Sequence, residues 1–167
     1  MIKILTTGGT IDKIYFDATS EYEIGEPTIP HIFQEAGIHA EYDLESLMRK
    51  DSLEITDADR AHIRERCEHS RFSQILITHG TDTMCETADY LISEAGIEGK
   101  TIVITGALSP ARFRVTDAVF NLGLAMGAVQ SMPPGVYIAM SGEIFTAGNV
   151  RKNLEAARFE KVTTVQA

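Results

Sequence analysis

Four stretches of the chain are almost unbroken in apolar side chains: Ile2 to Leu5, Ile75 to Ile77, Ile102 to Ile104 and Val136 to Met140. Continuous rather than alternating hydrophobicity over so short a run predicts parallel strands covered on both faces. Between these runs the apolar spacing changes to that of a helix. Met84, Ala88, Leu91, Ile92 and Ala95 fall on one helical face, preceded by Thr83 and Glu86 at capping-box spacing. Val115, Ala118, Val119, Leu122, Met126 and Val129 make a second face. A third helix is expected from the Thr56-Asp57-Ala58-Asp59 cap signature to about Glu68, and a weaker one over Ile29 to Ala36. Ala40 to Leu44 reads as a short strand. Strands alternating with helices predict an α/β fold: a three-layer α/β/α sandwich on a mainly parallel, flavodoxin-like sheet. No linker, repeat or low-complexity tract divides it, so a single domain over residues 1–167 is expected.

Each apolar run ends in similar chemistry: Thr6-Thr7-Gly8-Gly9-Thr10, Thr78-His79-Gly80-Thr81-Asp82-Thr83, Thr105-Gly106-Ala107 and Ser141-Gly142. Open parallel sheets bind ligands outside the carboxyl ends of their strands. Here that edge would carry a row of hydroxyls, a carboxylate, and glycines that let a ligand reach backbone N–H groups. The crevice is not a phosphate site by sequence, because Gly8-Gly9-Thr10-Ile11-Asp12-Lys13 lacks P-loop spacing and no GxGxxG follows a strand.

Composition narrows the choice. The chain has 167 residues, 24 acidic and 15 basic, for a net charge of −9; that balance and the lack of a basic run argue against a nucleic-acid partner. The 44% apolar content is that of a globular protein. Cys67 and Cys85 form no CxxC pair, as expected for a reducing cytoplasm. The N-terminal apolar run is too short for a signal-peptide core, no run is long enough to span a membrane, and a cytoplasmic protein is expected. His62, Cys67 and His69 do not share a helical face, and His31, His39 and His79 stand alone, reading as surface or capping histidines. Neither a metal nor another cofactor is expected.

Acyl transfer suits the hydroxyl row. A threonine hydroxyl needs a partner to take its proton, whether a lysine held neutral by burial, a histidine or a carboxylate, and N–H groups of a glycine turn to hold the oxyanion. Thr10 and Thr81 are the candidate nucleophiles, Asp82 the acid, and Lys152, in Gly148-Asn149-Val150-Arg151-Lys152-Asn153, the possible base.

The same residues carry a resemblance. ILTTGGTID at 4–12 and LITHGTDTMCETADYL at 76–91 resemble the two signature segments of the bacterial-type L-asparaginase family. TGALSP at 105–110, TDAVFNLGLAM at 116–126 and NVRK at 149–152 are similar to later family segments, so the likeness runs from Lys3 to Phe159. It implies an amidohydrolase that releases ammonia from the side chain of L-asparagine, or of L-glutamine, through an acyl-threonine. By that resemblance Thr10 matches the primary nucleophile. Tyr22 matches the tyrosine of a loop that closes over the substrate. Thr81, Asp82 and Lys152 match a proton-relay group, with Asp82 also gripping the substrate α-amino group. Ser52 matches the serine that binds the α-carboxylate, Ala107 offers its carbonyl to the side-chain amide, and Gly9 and Gly80 complete the substrate-binding set. The polar segment from Ile11 to Gly25 is expected to be a long loop that closes as a lid.

Family enzymes are about twice this length, with a second, C-terminal domain; this chain corresponds to the N-terminal domain, with the second expected to be absent. A homodimer covering the crevice with another surface is expected in its place. Two other functions stay open on sequence: an amino-acid-binding regulatory module without turnover, and an ammonia-supplying subunit of an amidotransferase.

Overall fold

The computed structural model describes residues 1–16, 21–93 and 95–162. β1 (Ile2–Gly8) leads through a 3-10 turn (Thr10–Asp12) into β2 (Lys13–Phe16) and β3 (Glu21–Ile24). There follow α1 (Ile29–Glu35), β4 (Tyr42–Lys50), a 3-10 turn (Ser52–Glu54), α2 (Asp57–Glu68), β5 (Gln74–Thr78) and α3 (Met84–Ile92). β6 (Thr101–Thr105), α4 (Ala118–Ser131), β7 (Gly135–Met140), β8 (Glu143–Thr146), β9 (Val150–Asn153) and β10 (Arg158–Lys161) complete the order.

The main sheet runs β4-β1-β5-β6-β7-β8. Its first five strands are parallel and β8 is antiparallel, so the parallel part has the flavodoxin-like order with a switch point between β1 and β5. Successive side chains point to opposite faces, and each face has its own core. Leu5, Ile75, Ile77, Ile102 and Ile104 pack with Ile63 of α2 and Met84, Ala88 and Leu91 of α3. Ile2, Ile4, Leu76 and Val103 pack with Ile29, Ile32 and Phe33 of α1 and Leu122, Ala125 and Val129 of α4. Burying an aliphatic side chain as fully as Leu76 contributes about 1.5–3 kcal/mol. Two covered faces explain the unbroken apolar runs, and the three-layer α/β/α expectation holds.

Several local expectations are corrected. α3 stops at Ile92, which is half exposed, and leaves Ala95 outside. Thr83 and Glu86 make no capping box: the Thr83 hydroxyl donates to the Ser52 carbonyl at 2.7 Å, and Glu86 pairs with Arg60 at 2.9 Å. The box at Thr56 does form, with Asp59 as its return partner. α4 begins at Ala118, so Val115 is a loop residue and, like Val119, exposed. β4 is far longer than the short strand expected at 40–44, because as an edge strand it alternates charges with half-buried Leu44, Leu47 and Met48.

The expected structureless stretch after Ile11 is instead an antiparallel hairpin, with Lys13 opposite Ile24 and Tyr15 opposite Tyr22. Residues 17–20 of that stretch lie outside the described residues. Among the described residues no helix is long and apolar enough to cross a membrane.

Candidate active site

The carboxyl ends of β1, β5, β6 and β7 gather the hydroxyl and glycine segments along one edge of the sheet. At the switch point Gly9, with φ +83°, lies on Gly80: a β-carbon there would stand 2.4 Å from the Gly80 nitrogen. Gly80 in turn lies against Ser52, whose Cβ and Oγ would be 2.5 and 2.7 Å from its own added carbon. Only backbone fits at either position. The two glycines therefore bring the turns that carry Thr10 and Thr81 together at the switch point, beside buried Ser52.

Lys152 closes the far side. It sits on β9, which the β9–β10 hairpin holds in place through its pairing with Phe159. Its Nζ donates to Thr81 Oγ1 at 2.8 Å and pairs with Asp82 Oδ1 at 2.5 Å. The lysine side chain is nearly buried while the Asp82 carboxylate is 41% exposed, leaving that acid open toward solvent and a ligand. Lys152, the possible base of the sequence reading, thus has both an acid and a hydroxyl as direct partners. Three of the residues expected to act together are in direct contact.

Tyr22 is placed differently. It lies on β3, 54% exposed, and its ring packs edge-on to Tyr15 at 5.5 Å and tilted to Phe113 at 6.0 Å. Among the described residues no hydrogen bond joins it to Thr10. Of the N–H groups of the glycine turn, that of Gly9 is spent on the Lys50 carbonyl at 2.9 Å. The N–H groups of Thr10 and Thr81 have no acceptor among the described residues.

Ala107 is held by a clamp that sequence reasoning missed. Asp117 accepts from the backbone N–H groups of Leu108 (2.9 Å) and Ser109 (3.0 Å) and from Asn121 Nδ2 (2.8 Å). Asn121, fully buried, donates to the Gly106 carbonyl at 3.1 Å and accepts from the Ser141 N–H at 2.9 Å. The ends of β6 and β7 are tied together, and the Ala107 carbonyl is left without a donor among the described residues. The signal was present as Asp117-x-x-x-Asn121, an i, i+4 polar pair on an otherwise apolar helix.

His79 is no surface histidine. Wholly buried, it donates from Nδ1 to the Gly80 carbonyl at 2.8 Å, so Nε2 accepts from the Thr87 hydroxyl at 2.8 Å. Burial drives its pKa down to about 4, outweighing the Gly80 bond, and the ring stays neutral as a brace under the Gly80 turn. Burial pushes Cys85 up to about 11 and Cys67 up to about 12, so neither thiol competes as a nucleophile.

The chain matches the family model for the N-terminal part of asparaginase over residues 1–166. It is 31% identical to the probable periplasmic L-asparaginase of Haemophilus influenzae, with 93% of this chain and 47% of that protein covered. Among solved structures, the thermostable L-asparaginase from Thermococcus kodakarensis superposes with a TM-score of 0.79 at 26% identity, covering 96% of this chain and 51% of that one. The probable cytoplasmic L-asparaginase from Campylobacter jejuni gives 0.82 at 28% identity, covering 98% and 53%. The chain spans about half the length of these relatives.

Proposed function

The chain belongs to the asparaginase family, and from that membership we propose that it is an amidohydrolase releasing ammonia from the side-chain amide of L-asparagine through a threonine nucleophile. The observation that carries this reading is the contact of Lys152 Nζ with both Thr81 Oγ1 and Asp82 Oδ1.

The substrate α-amino group pairs with the exposed face of Asp82, its α-carboxylate meets the Ser52 hydroxyl, and its side-chain N–H₂ donates to the Ala107 carbonyl. The Thr10 hydroxyl attacks the amide carbon. Its proton passes to Thr81, whose own proton moves to Lys152 as the ammonium gives one to Asp82; returned along the same path, it leaves with ammonia. Thr10 and Thr81 N–H groups hold the oxyanion. Water then hydrolyses the acyl-threonine with the relay acting as base. L-Glutamine, one methylene longer, is the poorer substrate, by roughly 1–3 kcal/mol of transition-state binding. A second copy of the chain covers the open side of the crevice, where Leu53 is 74% exposed beside buried Ser52, and the two unpaired cysteines fit a reducing cytoplasm.

The test is ammonia release from L-asparagine and L-glutamine by the purified protein, with Thr10→Ala and Thr81→Ala. Saturable release lost in both variants supports the reading. No release at millimolar amide overturns it in favour of a binding module or a subunit that needs a partner.

A further inference from the structure

Two residues beyond Thr10, Asp12 is 2% exposed and touches every part of the turn around it. Its N–H donates to the Gly9 carbonyl at 3.2 Å, its carbonyl accepts from the Gly25 N–H at 2.8 Å, and its Oδ1 accepts from the Thr28 N–H at 2.8 Å. Thr28 reaches back to the Ile11 carbonyl with its hydroxyl at 3.4 Å. The β2–β3 hairpin, which carries Tyr22, leaves the body of the protein after Asp12 and returns at Gly25. Both of its feet therefore end on this one residue. The hairpin base also rests on the glycine turn, since a β-carbon on Gly8 would lie 2.9 Å from Ile24 Cγ2.

We propose that Asp12 is a positioning residue that clasps the two feet of the hairpin and thereby sets the hairpin in register with the Thr10 turn. This rests on the reading above, in which Thr10 attacks. The clasp needs an acceptor at this position rather than a charge. Burial pushes the Asp12 carboxyl up to about 6, against the Thr28 hydrogen bonds and the more distant Arg112 and Arg49. Arg49 is itself paired with Glu26, and the neighbouring Lys13 with Asp51. A side chain whose ionised form opposes folding persists where it does something besides stabilise the fold.

The test compares Asp12→Ala, Asp12→Asn and Thr28→Pro, the last removing the backbone donor and the hydroxyl at a φ of −84° that is within proline's reach. Hydrogen exchange at the Gly25 amide reports the clasp without turnover. Ammonia release, as kcat and KM separately across pH 5–8, reports its effect on the reaction. In Asp12→Ala and Thr28→Pro, Gly25 exchange should quicken about tenfold or more and kcat fall about tenfold, with KM changing less than about threefold. Asp12→Asn, which keeps an acceptor, should restore both and flatten any inflection near pH 6. Unchanged exchange in Asp12→Ala and Thr28→Pro overturns the clasp. Faster exchange with unchanged kcat overturns the positioning role. If the unaltered protein releases no ammonia, the functional reading fails while the exchange data still decide the clasp; if Asp12→Ala does not fold, Thr28→Pro decides it.

Discussion

Gly9 and Gly80 meet backbone to backbone at the switch point of the sheet, with a distance of 2.4 Å from an added Gly9 β-carbon to the Gly80 nitrogen. Because the obstructing atoms are main chain, they cannot turn aside. Gly9→Ala adds that overlap to the strain of a side chain at φ +83°. The expected loss is roughly 2–4 kcal/mol of stability together with nearly all activity. Urea unfolding beside ammonia release checks it; a variant of unaltered midpoint would contradict the contact.

Lys152→Met should lower kcat by about a hundredfold to ten-thousandfold while moving the unfolding midpoint little, because its partner Asp82 is open enough to be hydrated. Lys152→Arg should not rescue the rate, since a guanidinium stays protonated and cannot pass the Thr81 proton on. Steady-state kinetics and thermal melts on the two variants decide both points.

Two buried groups give opposite dependences of stability on pH. His79, lowered from 6.5 to about 4 in the fold, binds protons better when unfolded. Its contribution is present above pH 6.5 and lost as pH falls toward 4. Asp12, raised from 3.8 to about 6, binds protons better when folded. Its contribution is present below pH 3.8 and lost as pH rises through 6. Each is worth about 3 kcal/mol across its window, and between pH 4 and 6 the two largely cancel. Asp12→Asn should unmask His79, giving stability that climbs with pH over that range, whereas His79→Gln should give stability that declines. Chemical denaturation at half-unit pH steps would show the slopes; equal slopes in all three proteins would exclude this balance.

Thr6 and Thr78 stand in register on adjacent strands, and their hydroxyls are buried and without a hydrogen-bond partner among the described residues. Replacing a buried unpaired hydroxyl by a methyl of the same shape is close to neutral or favourable. Thr6→Val is therefore expected to change stability by between zero and about 1 kcal/mol in the stabilising direction. A loss beyond about 1 kcal/mol in a thermal melt would mean that the hydroxyl has a partner such as an internal water.

What was legible in the sequence had a cause repeated along several residues. Ile75, Leu76 and Ile77 announce a strand because both faces are covered, and the Gly-Thr pairs announce the ligand edge because every parallel strand ends there. The hairpin of Lys13–Phe16 and Glu21–Ile24 gave no such sign, since a two-stranded ribbon standing off the core has no face to keep apolar. Spacing could not say that Thr83 would give its hydroxyl to Ser52 rather than cap its own helix, nor that the lone His79 would be sealed under the turn it braces. Residue type made Lys152 a possible base, but only resemblance grouped it with Thr81 and Asp82, because these lie 71 and 70 residues earlier and only the folded β9–β10 hairpin brings them within reach.

That separation also sets a timetable. During synthesis the sheet strands β1, β4, β5, β6 and β7 are all made before residue 152 is added, and domains begin to fold as they emerge. A chain translated only that far holds Thr81, Asp82 and His79 but not the amine that contacts the first two. The β9–β10 hairpin thus acts as a completion check: the contacts of Lys152 with Thr81 and Asp82 form only in chains translated and docked through β10.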